Sequence, residues 1–237
     1  MTTSGTSSFD IQLTDMFEEA YERAGSEMRS GYDFRTARRS FNLLTMEWAS
    51  RGINLWTVES GSIPLVAGTA TYNLPVDTID LIEHVIRQNP GNASTQTDIS
   101  ISRISVSTYS TIPNKLNTGR PIQVYINRQS GATTPTGIQY PTITVWPIPP
   151  DNTYTFVYWR LRRIQDAGNG DGTTDIPYRF VPALTAGLAY QIAMKIPEAA
   201  PRLPMLQAEY DKQWDLASSE DREKAPVRFV PRNTFYR

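Results

Sequence analysis

Residues 33–56 read DFRTARRSFNLLTMEWASRGINLW, and they decide how the rest of the chain is arranged, because they hold a helix, its stop and the start of a second kind of structure. Phe34, Ala37, Phe41, Leu44 and Trp48 recur at steps of three, four, three and four, which lays them along one stripe of an α-helix. The opposite face, Arg35, Arg38, Arg39, Asn42 and Glu47, is polar and faces water or a partner. Asp33 is the expected N-cap, and Gly52, just past Arg51, can take the left-handed conformation that closes a helix. Beyond it Ile53, Leu55 and Trp56 belong to a β-favouring run, so the chain passes from helix to strand with almost no linker.

Toward the N-terminus, residues 1–8 are small and polar, and residues 11–24 spell another amphipathic helix. Leu13, Phe17, Ala20, Tyr21 and Ala24 form its apolar face, Asp15, Glu18, Glu19 and Glu22 the other, and Gly25 its end. Acids on this helix and arginines on the next allow the two to pair by charge, as a hairpin within one chain or across a subunit boundary.

From residue 53 to about residue 164 the apolar pattern changes period. Residues 57–65 and 69–74 flank a Val-Ala-Gly-Thr turn and are expected to form a hairpin closing at Leu74-Pro75. Residues 79–88 follow as a longer apolar run. Ile99, Ile101, Ile104 and Val106 lie among serines and are expected to be strand, with a break in phase at Arg103. Residues 122–128, 138–146 and 153–164 are β-branched and aromatic, separated by turns rich in Gly, Pro, Asn and Asp. Short strands at this spacing predict an antiparallel sandwich or barrel.

The stretch 166–175, DAGNGDGTTD, has the composition of a calcium loop but not its spacing. With Asn169, Asp171 and Gly172 at the third, fifth and sixth positions, Ala167 falls at the first and Tyr178 where a bidentate Glu is needed. A flexible hinge is the expected reading. Helix returns after Pro177, with Phe180, Leu184, Leu188 and Ile192 in register and Ala183, Ala186, Gly187, Ala189 and Ala193 on the other faces. A helix this apolar all round belongs at the centre of its bundle or at a subunit contact. Pro197 ends it, and Leu203, Leu206, Tyr210, Trp214 and Ala217 stripe a fourth helix, with Glu209, Asp211, Lys212 and Asp215 outward.

Beyond residue 219 the helical period is lost, and Pro226 and Pro231 forbid its return. Arg228, Phe229, Val230, Pro231, Arg232, Phe235 and Tyr236 make a tail too apolar to leave in water. It packs back on its own subunit or docks on another protein by strand addition or aromatic anchoring.

The expected fold class is therefore α+β, a four-helix bundle formed by N- and C-terminal helix pairs with an inserted antiparallel β-sandwich or barrel and an extended C-terminal tail. The bundle takes residues 9–52 and 177–220, the β domain 53–165, the hinge 166–176 and the tail 221–237. Phe34, Phe41, Leu44, Trp48, Leu184, Leu188, Tyr210 and Trp214 are its expected bundle core.

Composition narrows the function. The 237 residues carry a net charge of −1, too little positive charge for a protein that holds nucleic acid through a basic surface. With no cysteine, thiol chemistry and Cys-ligated zinc are excluded. No leader-like start and no membrane-length apolar run is present, so the expected setting is cytosol-like solvent without a membrane. The one histidine, His84, has no recognised nucleophile motif or second histidine around it. Asp80 and Glu83, three apart in a strand, point to opposite faces. Gly168 to Gly172 lack the Lys-Ser/Thr of a phosphate loop. No catalytic residue, cofactor or metal is expected.

Several runs resemble the head-to-tail adaptor proteins of short-tailed bacteriophages, the family of tail tubular protein A and the tail accessory factors. They are Ala37-Arg38-Arg39-Ser40 with Asn42-Leu43-Leu44, Glu47-Trp48, the 51–56 run RGINLW, the 68–75 run GTATYNLP and Gly119-Arg120-Pro121. Gly187-Leu188-Ala189, Lys195-Ile196-Pro197 and Ala208-Glu209-Tyr210 continue it, so the resemblance covers most of residues 9–225. It implies a non-enzymatic virion protein at the head–tail junction, made in the host cytoplasm and assembled as a homo-oligomeric ring, commonly of twelve copies, between portal protein and tail nozzle protein. DNA would pass through the ring without specific binding, and near-neutral charge suits a conduit that must let a duplex slide. The tail at 225–237 is then expected to dock on the portal. The rival expectations are a tail-associated peptidoglycan hydrolase and a carbohydrate-binding tail module.

Overall fold

A computed structural model of the chain describes residues 5, 9–52 and 55–221. The expected docking residues Arg228, Phe229, Val230, Pro231, Arg232, Phe235 and Tyr236, and Ile53 of the helix-to-strand passage, lie outside the described residues. The fold is α+β, as expected. It divides into two compact units, one drawn from Met1–Leu55 and Asp166–Arg237, the other Trp56–Gln165.

The first unit holds α1 (Leu13–Ala24), α2 (Gly31–Ser50), α4 (Val181–Ala193) and α5 (Leu203–Glu220), while the short α3 (Val106–Ser110) belongs to the second. α1 buries Leu13, Met16, Phe17, Ala20, Tyr21 and Ala24 and stops at Gly25, whose φ of 87° is left-handed. The start of α2 differs from expectation. Ser30, not Asp33, is its N-cap: the Ser30 hydroxyl accepts from the Asp33 amide at 3.3 Å, and the Asp33 carboxylate accepts from the Ser30 amide at 3.0 Å. A serine with an acid three residues on satisfies two orphan amides at once, which an aspartate cap alone does not do. α2 ends as expected, with Gly52 at φ 77°. A 3-10 turn, Leu55–Thr57, then leads into the first strand.

α4 is buried on nearly every side and packs against α1, α2 and α5, so its lack of a polar face follows from its central position. Phe41, Leu44, Trp48, Leu184, Leu188, Tyr210 and Trp214 are buried, and Phe34 is half-buried against Phe17, with ring centroids 5.6 Å apart.

The polar side of α2 is divided differently from the sequence reading. Asn42 accepts from the Ala167 amide at 2.9 Å and Arg38 donates to the Gly168 carbonyl at 3.3 Å. The Leu13 amide donates to the Gly172 carbonyl at 2.9 Å. The stretch expected to hinge is thus bonded to both N-terminal helices. The exposed residues of α2 are Gly31, Tyr32, Arg35, Arg39, Leu43, Met46 and Ser50, more apolar than the expected polar face.

In the second unit, β1 (Val58–Pro64), β10 (Tyr154–Arg162), β3 (Thr78–Gln88) and β4 (Thr97–Ser100) form one antiparallel sheet in the order β1-β10-β3-β4. A second sheet runs β2 (Thr71–Asn73), β9 (Thr142–Trp146), β6 (Gln123–Asn127), β5 (Ser102–Ile104), antiparallel except for the β5–β6 pair. β7 (Thr133–Thr134) and β8 (Gly137–Ile138) make a small ribbon. None of these sheets closes into a barrel. Leu81, Ile86, Phe156 and Tyr158 from the first sheet and Val124, Ile126, Ile143 and Val145 from the second share one core with Leu65, Leu74 and Tyr154.

Two strand expectations are corrected. β1 and β2 are not hairpin partners: β1 pairs β10 and β2 pairs β9, because the chain crosses between sheets to bury both Leu65 and Leu74 in the same core. The strand expected to reach Val106 stops at Ile104, because the Ser105 side chain accepts from the Thr108 amide at 3.2 Å and caps α3.

Candidate functional site

Family-like runs from the two ends of the chain are far apart in sequence and meet in the helical unit. Trp48, in the last turn of α2, donates from Nε1 to the Tyr210 hydroxyl of α5 at 2.8 Å. Its ring lies 4.9 Å from Trp214 and 5.6 Å from Phe180, centroid to centroid. The Arg51 guanidinium, held also by the Glu47 carboxylate, covers Trp214 at 4.4 Å and Tyr210 at 5.4 Å. Burial pushes the Tyr210 phenol above its usual range. Gly187 of α4 sits beneath this cluster, where a Cβ would stand 2.7 Å from Tyr210 and 3.1 Å from Leu44. The glycine is there for close approach rather than for backbone freedom.

A second meeting point joins Ser40 to Lys195. The Lys195 ammonium donates to the Ser40 hydroxyl at 2.6 Å, and that hydroxyl donates to the Thr36 carbonyl at 3.0 Å. Burial, and then the Arg39 guanidinium, lower the Lys195 pKa. A serine beside a lysine of lowered pKa is a nucleophile–base pair that sequence reading missed. Ser40 is fully buried and its proton is spent on a backbone carbonyl, so the arrangement ties the end of α4 to α2 rather than activating a nucleophile. Beside it lies an open cavity of about 920 Å³, lined by Tyr21, Tyr32, Arg39, Lys195 and neighbouring residues. The Tyr21 hydroxyl donates to the Asp33 carbonyl at 3.0 Å, and burial with the nearby Asp33 charge pushes its pKa up to about 12.

In the β unit Asp80 is paired with arginines and His84 makes a ring contact. Asp80 lies between Arg103 at 2.9 Å and Arg128 at 3.2 Å. His84 stacks on Phe156, with centroids 5.8 Å apart, and burial lowers its pKa. Arg160, which no motif flagged, is the buried charge of this unit and donates to Asp77 at 2.6 Å, Glu59 at 2.8 Å and Thr78 at 3.0 Å. Burial opposes ionisation of Asp77, and Arg160 overrides it, holding the carboxyl below the usual range. The Tyr72 hydroxyl of the 68–75 run fastens its own turn, accepting from the Val66 amide at 2.9 Å and donating to the Thr69 carbonyl at 2.8 Å. Among the described residues no His, Asp and Glu cluster is placed for a metal, and no helix is long and apolar enough to cross a membrane.

The sequence profile of the SU10 adaptor protein family matches residues 13–230 of this chain. No curated protein sequence matches it.

Proposed function

This chain belongs to the SU10 adaptor protein family, and from that premise we propose that it is a structural protein of a bacteriophage virion, an adaptor at the head–tail junction that works by binding other head and tail proteins. In the finer reading, copies form a ring, commonly of twelve, under the portal of a short-tailed phage. The tail nozzle lies below and the genome passes through. The helical unit serves as a four-helix bundle, the β unit as an inserted sandwich, and the tail from residue 221 as a docking arm.

The observation that carries this reading is the extent of the match, residues 13–230, which takes in both units and the start of the tail. A net charge of −1 supports a conduit rather than a clamp on DNA. The hydrolase and carbohydrate-binding readings draw on no arrangement of the described side chains.

Electron micrographs of the purified protein with and without purified portal test the proposal. Rings, or monomers that become rings on the portal, are expected. A protein that stays monomeric and ignores the portal would sink it.

A further inference from the structure

We infer that the open cavity beside Lys195 is a carboxylate-binding pocket, in which Arg39 and Lys195 receive an acidic side chain of a neighbouring head or tail protein. This rests on the reading of the chain as an adaptor that binds such proteins, and it names the chemistry of one contact.

The two cations reach the cavity from different elements, Arg39 from α2 and Lys195 from just past the end of α4. Each is held by a neutral hydroxyl: Lys195 donates to Ser40 at 2.6 Å, and Arg39 donates to Thr36 at 3.2 Å. Neither forms an ion pair with a carboxylate among the described residues. After burial, the charge that acts on Lys195 is that of Arg39, and it disfavours the ammonium. Two like charges turned to one space repel, and an anion between them reverses that cost.

The acids that share the lining do not fill this role. Glu27 is paired with Arg29 at 2.9 Å. Asp33 is spent on the capping box of α2, where its carboxylate accepts from the Ser30 amide at 3.0 Å and the Arg29 amide at 3.2 Å. Glu22, exposed on α1, is not among the charges that shift Lys195.

The remaining walls point to the kind of anion. Tyr21, Tyr32, Ile192 and Ile196 offer ring and aliphatic surface, and about 920 Å³ of open space admits a side chain together with the backbone that carries it. A guanidinium takes a carboxylate by two parallel hydrogen bonds. A DNA strand, by contrast, is held by a row of cations along its phosphates, and the cavity offers two that are not already paired, on a chain of net charge −1. One such contact at a solvent-open site is weak, and its repetition on each copy of an assembly adds up.

The test uses the full-length protein, acetylated with limiting acetic anhydride at mildly alkaline pH, the modification of each lysine being read by mass spectrometry. A carboxylate bound at Lys195 favours the unreactive ammonium and blocks access to it. A blocked Ala-Glu-Glu-Ala peptide should therefore slow acetylation of Lys195 several-fold and saturably, leaving the exposed Lys115 and Lys212 unchanged. The Ala-Gln-Gln-Ala peptide should do nothing. Arg39→Gln, a change at an exposed position, should abolish the protection while circular dichroism stays that of the parent, and Arg39→Lys should restore part of it. No protection by the glutamate peptide, or equal protection by the glutamine peptide, would overturn the pocket. Stronger protection by inorganic phosphate or a short DNA duplex would overturn the choice of a protein carboxylate. The peptide assay needs no portal and the micrographs need no peptide, so failure of the pocket and failure of the adaptor reading are told apart.

Discussion

Trp48 and Tyr210, 162 residues apart, share a buried hydrogen bond of 2.8 Å that joins the first helix pair to the last. Tyr210→Phe would leave the Trp48 N–H buried without its acceptor, at a cost of about 1–3 kcal/mol. Trp48→Ala also removes the ring that Phe180 and Trp214 pack against, and should cost about 3–5 kcal/mol. Urea unfolding followed by tryptophan fluorescence checks both. A Trp48→Ala protein with the parental midpoint would show that the cluster is not what holds the unit together.

Gly187→Ala sets helix propensity against packing. Alanine favours the helix by about 1 kcal/mol. The new Cβ would stand 2.7 Å from the Tyr210 ring, which Trp48 and Arg51 keep from moving aside. Overpacking of this kind costs about 1–3 kcal/mol, so the net change should be destabilising. A lower melting temperature with a weakened near-ultraviolet dichroism is expected; a higher one would mean that the cluster yields.

His84 should make stability depend on pH. Burial lowers its pKa, outweighing the Glu83 carboxylate, so the folded protein resists protonation that the unfolded chain accepts below about pH 6.5. The unfolded state then binds more protons, and the stability due to this residue, complete above that pH, is lost as pH falls. In urea titrations at pH 7.5 and 5.5 the midpoint should drop toward acid, and His84→Phe should drop less. Equal drops would remove His84 as the cause.

Deleting residues 225–237 should leave a folded subunit that no longer co-sediments with portal rings. The segment offers Arg228, Arg232, Phe229, Phe235 and Tyr236 as anchors. One arm that orders on binding should bind weakly and many arms on a ring firmly. Full occupancy of portals by the truncated protein would move the docking surface to the helices.

The helical stripes were legible in the sequence because burial on one face leaves a periodic trace, as at Phe41, Leu44 and Trp48. The class α+β was legible for the same reason, whereas the family resemblance rests on runs such as residues 51–56 and 68–75. Strand partnership was not. Residues 57–65 and 69–74 look like a hairpin locally, and only the shared burial of Leu65 and Leu74 sends them to different sheets. Ser30 was passed over as a cap because Asp33 also suits that role, and a capping box uses both. The Ser40–Lys195 bond joins residues that carry no periodic signal, so nothing short of the fold could find it. Leu43 and Met46 were visible as apolar, but their exposure follows from where the 166–175 stretch lies on α2.

The placement of Trp48 has a consequence for synthesis. Its partners Phe180, Tyr210 and Trp214 leave the ribosome long after it does, with the whole of Trp56–Gln165 in between. The β unit can complete its own core first, while α1 and α2 wait with Phe41, Leu44 and Trp48 uncovered. The first part of the chain to be made is therefore among the last to be shielded. During that interval the nascent protein presents an apolar stripe to chaperones and to other nascent copies, and the burden falls on the N-terminal helices rather than on the sheets.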